Sequence, residues 1–169
     1  MDQQEILKQV QIFRDLSGGQ IKAVSDRCHR LTALAGERII TEGEKGEGVF
    51  ILCEGDVEVS KRLTLIQKGE AEMRDKRLVI LRADPGTAFF PIFGEMGLFT
   101  TDERSATVTA ISTCTLLEIR ANDVINLCEQ DNNLGYLVTR QLVEIVTERL
   151  RNTNKDVLKL TTALCIALE

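Results

Sequence analysis

The hydrophobic positions of this chain follow three successive patterns, a helical one, a strand-like one and a second helical one. Near the start, residues 2–13 carry apolar side chains at helical spacing. Ser17 and Gln20 fit a capping box, in which the serine is the N-cap and the glutamine lies three positions further on. The helical spacing that follows predicts a second helix that runs to about Leu34.

From Gly36 to about Arg120 the pattern changes to short β-type runs separated by glycines. These runs are Arg38–Thr41, Gly48–Cys53, Asp56–Lys61, Leu78–Arg82 and Val108–Ile119. Many short strands with glycine turns favour a jelly roll or barrel over a parallel sheet. The charged stretch Leu63–Arg77 is predicted to be a solvated hairpin loop.

The last part of the chain returns to helical spacing. Residues 123–129 predict a short helix, and a long helix is predicted to begin near Leu134. Its heptad seam consists of Val143, Val146, Leu150, Thr153, Val157, Leu160 and Leu164. A second apolar face, with Leu137, Leu142 and Ile145, is expected to pack on the rest of the domain. Two apolar faces on one helix predict a parallel homodimer through the seam.

These patterns together predict an α+β fold that is mainly β, a β-roll or jelly roll with N-terminal helices and a long C-terminal helix. The expected divisions are an N-terminal helical segment over residues 1–35 and a β-roll core over residues 36–120. Residues 121–169 are expected to form the C-terminal helices, including the dimerisation helix.

Composition narrows the classes of function. A hydrophobic content of 43% is enough for one packed core, and the net charge of −5 at pH 7 argues against a surface that binds nucleic acid or an anionic membrane. No apolar run reaches the ~18 residues of a membrane span. The five scattered cysteines form no C-x-x-C pair, which indicates reduced thiols in a cytoplasmic protein. Since His29 is the only histidine, we expect no metal site and no metal-dependent enzyme such as a cupin.

The segment Phe93–Ile119 carries the candidate chemistry. Glu95 lies between Gly94 and Gly97, and Arg104 follows nine positions after Glu95, before three small residues. Glycines let a ligand approach the backbone closely, and a helical turn that begins there would direct its N–H groups at an anion. The planar fork of an arginine suits a phosphate, whereas a glutamate, which only accepts, suits sugar hydroxyls. The spacing therefore predicts a site for a phosphorylated sugar.

This segment closely resembles the phosphate-binding cassette of cyclic nucleotide-binding domains, in particular those of the cAMP receptor (catabolite activator) branch. The glycines and the core strand of residues 36–59 also resemble that family, so the likeness covers about Phe13 to Leu160. It implies that Glu95 binds the ribose 2′-hydroxyl and Arg104 the cyclic phosphate. The ligand-binding residues implied by the resemblance are Gly94, Glu95, Met96, Arg104, Ser105, Ala106, Thr153 and Asn154. Ser105 favours cAMP, although a hydroxyl here also occurs in relatives that prefer cGMP.

Two positions on the long helix have more than one interpretation. In the resembled family this helix closes over the base with two successive hydroxyl residues. Thr153 matches the first, whereas Asn154 replaces the second with an amide that still donates and accepts. A polar residue in a heptad seam also sets its register, so Thr153 has either role or both.

A departure from the family lies just before the cassette. Between the turn at Pro85-Gly86 and Phe93, the chain carries the additional stretch Thr87–Ile92. We expect a tolerated insertion that packs Phe89 or Phe90 onto the core. The alternative is a small lid that reshapes the mouth of the pocket.

The resulting hypothesis is a stand-alone cyclic nucleotide sensor, not an enzyme, that signals through its C-terminal helix to a partner the sequence does not reveal. The resembled transcription factors continue into a helix-turn-helix, but only nine residues follow Leu160. Direct DNA binding is therefore not expected. The alternatives are the sensor fragment of a transcription regulator, and a degenerate scaffold that dimerises and binds nothing.

Overall fold

The computed structural model describes residues 1–67, 70–98 and 103–167. Its helices are α1 (Gln3–Gln9), α2 (Gly18–Ser25), α3 (Ala121–Gln130) and α4 (Asn132–Ala167). Its strands are β1 (His29–Ala33), β2 (Arg38–Ile40), β3 (Gly48–Glu54), β4 (Asp56–Gln67), β5 (Glu70–Arg82), β6 (Ile92–Phe93), β7 (Thr107–Ala110) and β8 (Cys114–Arg120). Two 3₁₀ turns cover Gln11–Phe13 and Glu95–Gly97.

The strands form two antiparallel four-stranded sheets, in the orders β1-β8-β3-β6 and β2-β7-β4-β5. Strand β3 is buried on both faces, which explains its unbroken apolar run. Phe50 and Leu52 face the interior between the sheets, whereas Val49 and Ile51 pack towards the helices. The predicted fold class, a β-roll with flanking helices and a long C-terminal helix, is confirmed.

The N-terminal segment differs from the prediction. The capping box is present, because Ser17 Oγ accepts a hydrogen bond from the Gln20 backbone N–H and Gln20 Oε1 accepts one from the Ser17 backbone N–H. The predicted helix to Leu34 is wrong, since α2 ends at Ser25 and residues 29–33 form β1. Strand β1 pairs with β8, and this long-range pairing overrides the local helical spacing.

The predicted loop Leu63–Arg77 is also wrong over the described residues. Strands β4 and β5 continue through it as a two-stranded ribbon, paired from Asp56 with Arg82 to Gln67 with Glu70. Strand β7 pairs with β4 only over residues 57–60, so the ribbon extends past the end of the sheet. The side chains of residues 61–63 and 73–79 are exposed, so the charged composition there reflects a solvent-facing ribbon rather than a loop.

The predicted continuous run Val108–Ile119 consists of two strands, β7 and β8, which belong to different sheets. The residues between them turn the chain from one sheet to the other. Ser112 stabilises this turn, because its Oγ accepts a hydrogen bond 2.9 Å long from the backbone N–H of Asp56.

Helix α4 packs on the domain along its first half alone. Its buried residues are Leu134, Val138, Gln141 and Ile145. Leu142 packs against the same core, so the predicted domain-facing side is confirmed there and at Ile145. The side chains of residues 146–167 are exposed, and so is the predicted seam, with Leu150 59% exposed. The homodimer stays a prediction. None of the helices in the described ranges is both long and apolar enough for a membrane crossing.

Candidate functional site

The first part of the site is the tight turn that follows β6. Gly94 has a left-handed backbone with φ 81°, and the 3₁₀ turn Glu95–Gly97 begins directly after it, as the sequence predicted. A Cβ at Gly94 would lie 2.8 Å from Arg104 Nη1 and 3.0 Å from the Gly48 carbonyl oxygen. Both the backbone conformation and the lack of space therefore require glycine. Leu98 is buried beyond the turn and anchors it to the core.

Glu95 is a buried carboxylate, only 1% exposed. Its Oε1 accepts a hydrogen bond from Nη1 of Arg149 in α4, and Arg149 Nη2 donates to the Ile92 carbonyl oxygen at 3.3 Å. The second oxygen, Oε2, is buried and accepts no hydrogen bond within the described ranges. Buried carboxylate oxygens are normally satisfied, so this oxygen is suited to a donor from a ligand, such as a hydroxyl.

The Arg104 guanidinium is held by backbone carbonyls. Its Nη1 donates to the Gly94 oxygen at 3.1 Å and its Nη2 to the Gly48 oxygen at 2.8 Å. Cζ lies 6.0 Å from the centre of the Phe50 ring. Burial lowers the pKa of Arg104, while the negative charges of Glu118 and Glu95 oppose that shift. An arginine has five N–H donors, and three of those of Arg104 make no hydrogen bond to the described residues.

Two glycines, Gly46 and Gly97, line the space occupied by the Arg104 side chain and form a glycine cradle. A Cβ at Gly46 would lie 1.9 Å from Arg104 Nε, and one at Gly97 would lie 3.6 Å from Nη1. The backbone of Arg104 is held as well, because its N–H donates to the Glu44 oxygen at 2.8 Å and its own oxygen accepts from the Gly43 N–H at 2.9 Å. The side chain therefore lies flat against a backbone that only glycine at position 46 permits.

The remaining cassette residues lie on either side of residues 99–102, which are outside the described ranges. Ser105 is exposed, and its Oγ donates to Met96 Sδ at 3.7 Å. Ala106 follows and is half-buried. The structure thus brings the predicted groups 94–96 and 104–106 together, as the spacing implied.

Thr153 and Asn154 are not in contact with the cassette by any hydrogen bond among the described residues. Both side chains are exposed on α4. Thr153 follows Arg149 by one helical turn, which places it about 6 Å further along the helix axis. Their predicted role at the base stays a prediction.

Arg149 is the site residue that sequence reasoning missed. It lies beside the heptad seam among other charged residues, and its position alone does not distinguish it from Arg140 or Arg151. The available signal was indirect. A glutamate buried in a β-roll requires a nearby cation, and a helix predicted to close over the pocket is the element that supplies one.

The stretch Thr87–Ile92 forms a turn and a short strand. Asp84 and Phe89 form an isolated β-bridge, and Asp84 Oδ1 accepts from the Gly86 N–H at 3.0 Å. Phe90 is buried in the core, whereas Phe89 is 59% exposed. The expectation that one of the two phenylalanines packs onto the core is confirmed by Phe90.

Comparison with known proteins agrees with this geometry. A family model described as the cyclic nucleotide-binding domain matches residues 30–131. The chain belongs to the cyclic nucleotide-binding domain family. The match contains β3, the glycine cradle and the whole cassette, so the buried Glu95 and the held Arg104 lie in the family's domain. Among the described residues, no group of three or more histidine, cysteine, aspartate or glutamate side chains is arranged to hold a metal ion.

Two curated relatives show the range of the family. A cAMP-dependent protein kinase regulatory subunit from Mycosarcoma maydis is 33% identical over 107 residues, 63% of this chain and 18% of that protein. A CRP-like cAMP-activated global transcriptional regulator from Mycobacterium tuberculosis is 24% identical over 157 residues, 90% of this chain and 60% of that protein. The chain thus spans less than two thirds of either relative.

A solved structure shows the same fold. The catabolite activator protein of Thermus thermophilus superposes with a TM-score of 0.70 at 22% identity, covering 90% of this chain and 63% of that one. The β-roll and the long C-terminal helix are therefore shared.

Proposed function

We propose that this chain is a cyclic nucleotide sensor, which binds cAMP, or alternatively cGMP, in the cassette and signals through α4. The observation that carries the proposal is the state of Glu95. One of its buried oxygens is paired with Arg149 of α4, and the other has no donor among the described residues. A ligand hydroxyl that donates to this carboxylate would bind in the pocket and would also act on α4 through Arg149.

The phosphate end of the ligand belongs at Arg104. Its three remaining N–H donors and the adjacent Ser105 hydroxyl suit the two exocyclic oxygens of a cyclic phosphate monoanion. The ribose 2′-hydroxyl then donates to Glu95 Oε2. Both relatives described above carry cAMP in their names, which supports cAMP as the first ligand to test.

The output belongs to α4. A ligand hydroxyl that donates to Glu95 Oε2 shares the carboxylate that holds Arg149, and a ligand with different affinities for two positions of α4 shifts the helix between them. Thr153 and Asn154, one turn further on, are proposed to meet the base. The exposed seam, including Val143 and Leu150, is proposed to pair with that of a second copy in parallel.

The proposal describes a regulator rather than an enzyme, and a cytoplasmic one. It assigns no metal, and it assigns no direct contact with DNA. The downstream partner would recognise the position of α4 or of the helix pair.

The test is isothermal titration of nucleotide-stripped protein with cAMP, then cGMP, then 5′-AMP as a control whose phosphate is no longer cyclic. We expect binding in the micromolar range or tighter for a cyclic nucleotide, and much weaker binding of 5′-AMP. Thermal unfolding gives a second readout, because ligand at about 100 times Kd stabilises the native state by about 2.7 kcal/mol. If neither cyclic nucleotide gives heat or thermal stabilisation, the sensor proposal is wrong and the scaffold alternative is favoured.

A further inference from the structure

Glu118 is a charged residue inside the β-roll that the proposed site does not use. It lies on β8 opposite Phe50 of β3. Its neighbours Leu117 and Ile119 pack towards the helices, so Glu118 lies on the opposite face, with Leu116, towards the roll interior. A strand residue on this face is expected to be apolar, and the carboxylate there calls for a physical reason.

The Glu118 carboxylate lies against the backbone that holds Arg104. A Cβ at Gly48 would lie 2.9 Å from Glu118 Oε1 and 3.3 Å from its Cγ. The carbonyl of the same glycine accepts the hydrogen bond from Arg104 Nη2. The carboxylate and the guanidinium are thus neighbours across a single glycine.

Within the described part of the chain, the half-buried Glu118 carboxylate takes part in no hydrogen bond or ion pair, and the hydrogen bonds of Arg104 go to the Gly94 and Gly48 carbonyls instead. Its interaction with Arg104 is through space, and it favours the charged guanidinium. In the ligand-free protein Glu118 therefore acts as a counter-charge for Arg104, together with Glu95.

We propose that Glu118 is an affinity-determining residue, whose negative charge opposes the binding of a phosphate anion at Arg104. This inference rests on the proposed function, since it concerns the same site. A phosphate at Arg104 would place a second negative charge near the Glu118 carboxylate, and the two would repel each other in a half-buried region where solvent screens them only in part. The carboxylate thus stabilises the ligand-free state relative to the complex.

The opposite role is a direct ligand contact, in which Glu118 accepts a hydrogen bond from the nucleotide. The two roles predict opposite changes in ligand affinity when the charge at position 118 is removed. Loss of the charge strengthens binding if Glu118 opposes the phosphate, and weakens it if Glu118 holds the ligand.

The experiment measures the Kd for cAMP by isothermal titration for the parent protein, Glu118→Gln and Glu118→Thr. The glutamine keeps the shape, and the threonine supplies a second uncharged side chain that suits a β-strand. The matched control is Glu54→Gln, which removes the same charge from the exposed far end of β3, about 20 Å from Gly48 at the rise of a strand. Thermal unfolding confirms that each variant is folded.

We expect roughly three- to ten-fold tighter binding for the uncharged variants at position 118, and less than about two-fold change for Glu54→Gln. The gain should narrow from low to high salt, which a purely structural effect would not do. Unchanged or weaker binding in a folded Glu118 variant overturns the inference while the sensor proposal stands. A parent protein that binds neither cAMP nor cGMP overturns both.

Discussion

The two charged groups of the candidate site are held by different parts of the molecule. Arg104 is fixed by the β-roll itself, through the carbonyls of Gly48 and Gly94 at 2.8 and 3.1 Å. Glu95 is fixed by a side chain of α4, Arg149, which lies 54 positions further along the chain. One end of the site thus depends on the roll alone, and the other depends on where α4 lies.

This difference assigns a separate task to each end. The Arg104 end has its geometry before a ligand arrives, which suits it to provide affinity. The Glu95 end keeps its geometry only while Arg149 stays in place, which suits it to communicate with the helix. Variants that disable one end at a time should therefore separate binding from coupling.

The largest expected effect comes from Arg104→Ala, at the end held by the roll. The cyclic phosphate would be left without its main cationic partner, and truncation of one member of a desolvated charge pair costs roughly 2–5 kcal/mol. We expect cAMP affinity to fall on the order of 100-fold or more, measured by isothermal titration. Arg104→Lys should fall in between, because lysine keeps the charge and loses the fork.

The control for this variant is Arg82→Ala. Arg82 is an exposed arginine with a loose ion pair to Asp56 at 3.7 Å, so its loss should change the affinity for cAMP by less than about two-fold. Binding by Arg104→Ala that matches the parent would show that the phosphate lies elsewhere.

The same contrast explains what could be predicted from the sequence. The Arg104 end lies within a short segment of the chain. The spacing of Gly94, Glu95, Gly97 and Arg104 in that segment is enough to predict a phosphate site. The contact at the Glu95 end can be predicted only if the position of α4 is known, and no local sequence pattern marks Arg149. Long-range packing determines that contact, so it became visible only in the structure.

The wrong secondary-structure predictions also concern features that no local sequence pattern marks. Cys28 and Leu31 fit helical spacing, but β1 forms because β8, far along the chain, offers a partner. Leu31 is 38% exposed there, so no alternation of buried and exposed side chains marked the strand. The β4–β5 ribbon was missed because consecutive side chains on each strand, over residues 61–63 and 73–79, are all exposed. Strand patterns report burial, and they disappear where a strand has no buried face.

An intermediate effect, on the free energy of unfolding, is expected from Arg149→Met at the Glu95 end of the site. Methionine keeps most of the aliphatic packing and removes the charge, which leaves the buried Glu95 carboxylate without a cation. Breaking a buried pair costs about 3–5 kcal/mol, but Arg149 is 48% exposed, so we expect a smaller loss of about 1–2 kcal/mol in the free energy of unfolding. Denaturant unfolding of the ligand-free protein measures it.

Arg151→Met provides the matched control, since Arg151 is exposed two positions further on. The double variant Glu95→Gln with Arg149→Met should recover part of the lost stability, because it removes the unpaired buried charge. If Arg149→Met and Arg151→Met are equally stable, the pair with Glu95 does not hold α4 in place.

The smallest effect concerns a second attachment of α4, remote from the site. Asp15 accepts hydrogen bonds from Arg140 Nη2 at 2.7 Å and from Gln141 Nε2, and these bonds lower the pKa of its carboxyl below the usual 3.8. A lowered folded pKa means that this stabilisation is complete above pH 3.8 and is lost as the pH falls through the folded value. Asp15→Asn should therefore lower Tm slightly at pH 7, and the difference in Tm from the parent protein should vanish in acid.

The control is Asp75→Asn, at an exposed aspartate. Arg149 lies eight positions after Gln141, so the Glu95 pair should keep holding the helix, and cAMP affinity should change by less than about two-fold. A Tm difference that persists far below pH 3.8 would show that Asp15 acts through packing rather than charge, and a large loss of cAMP affinity would show that α4 responds as one rigid unit, which removes the distinction between the two ends of the site.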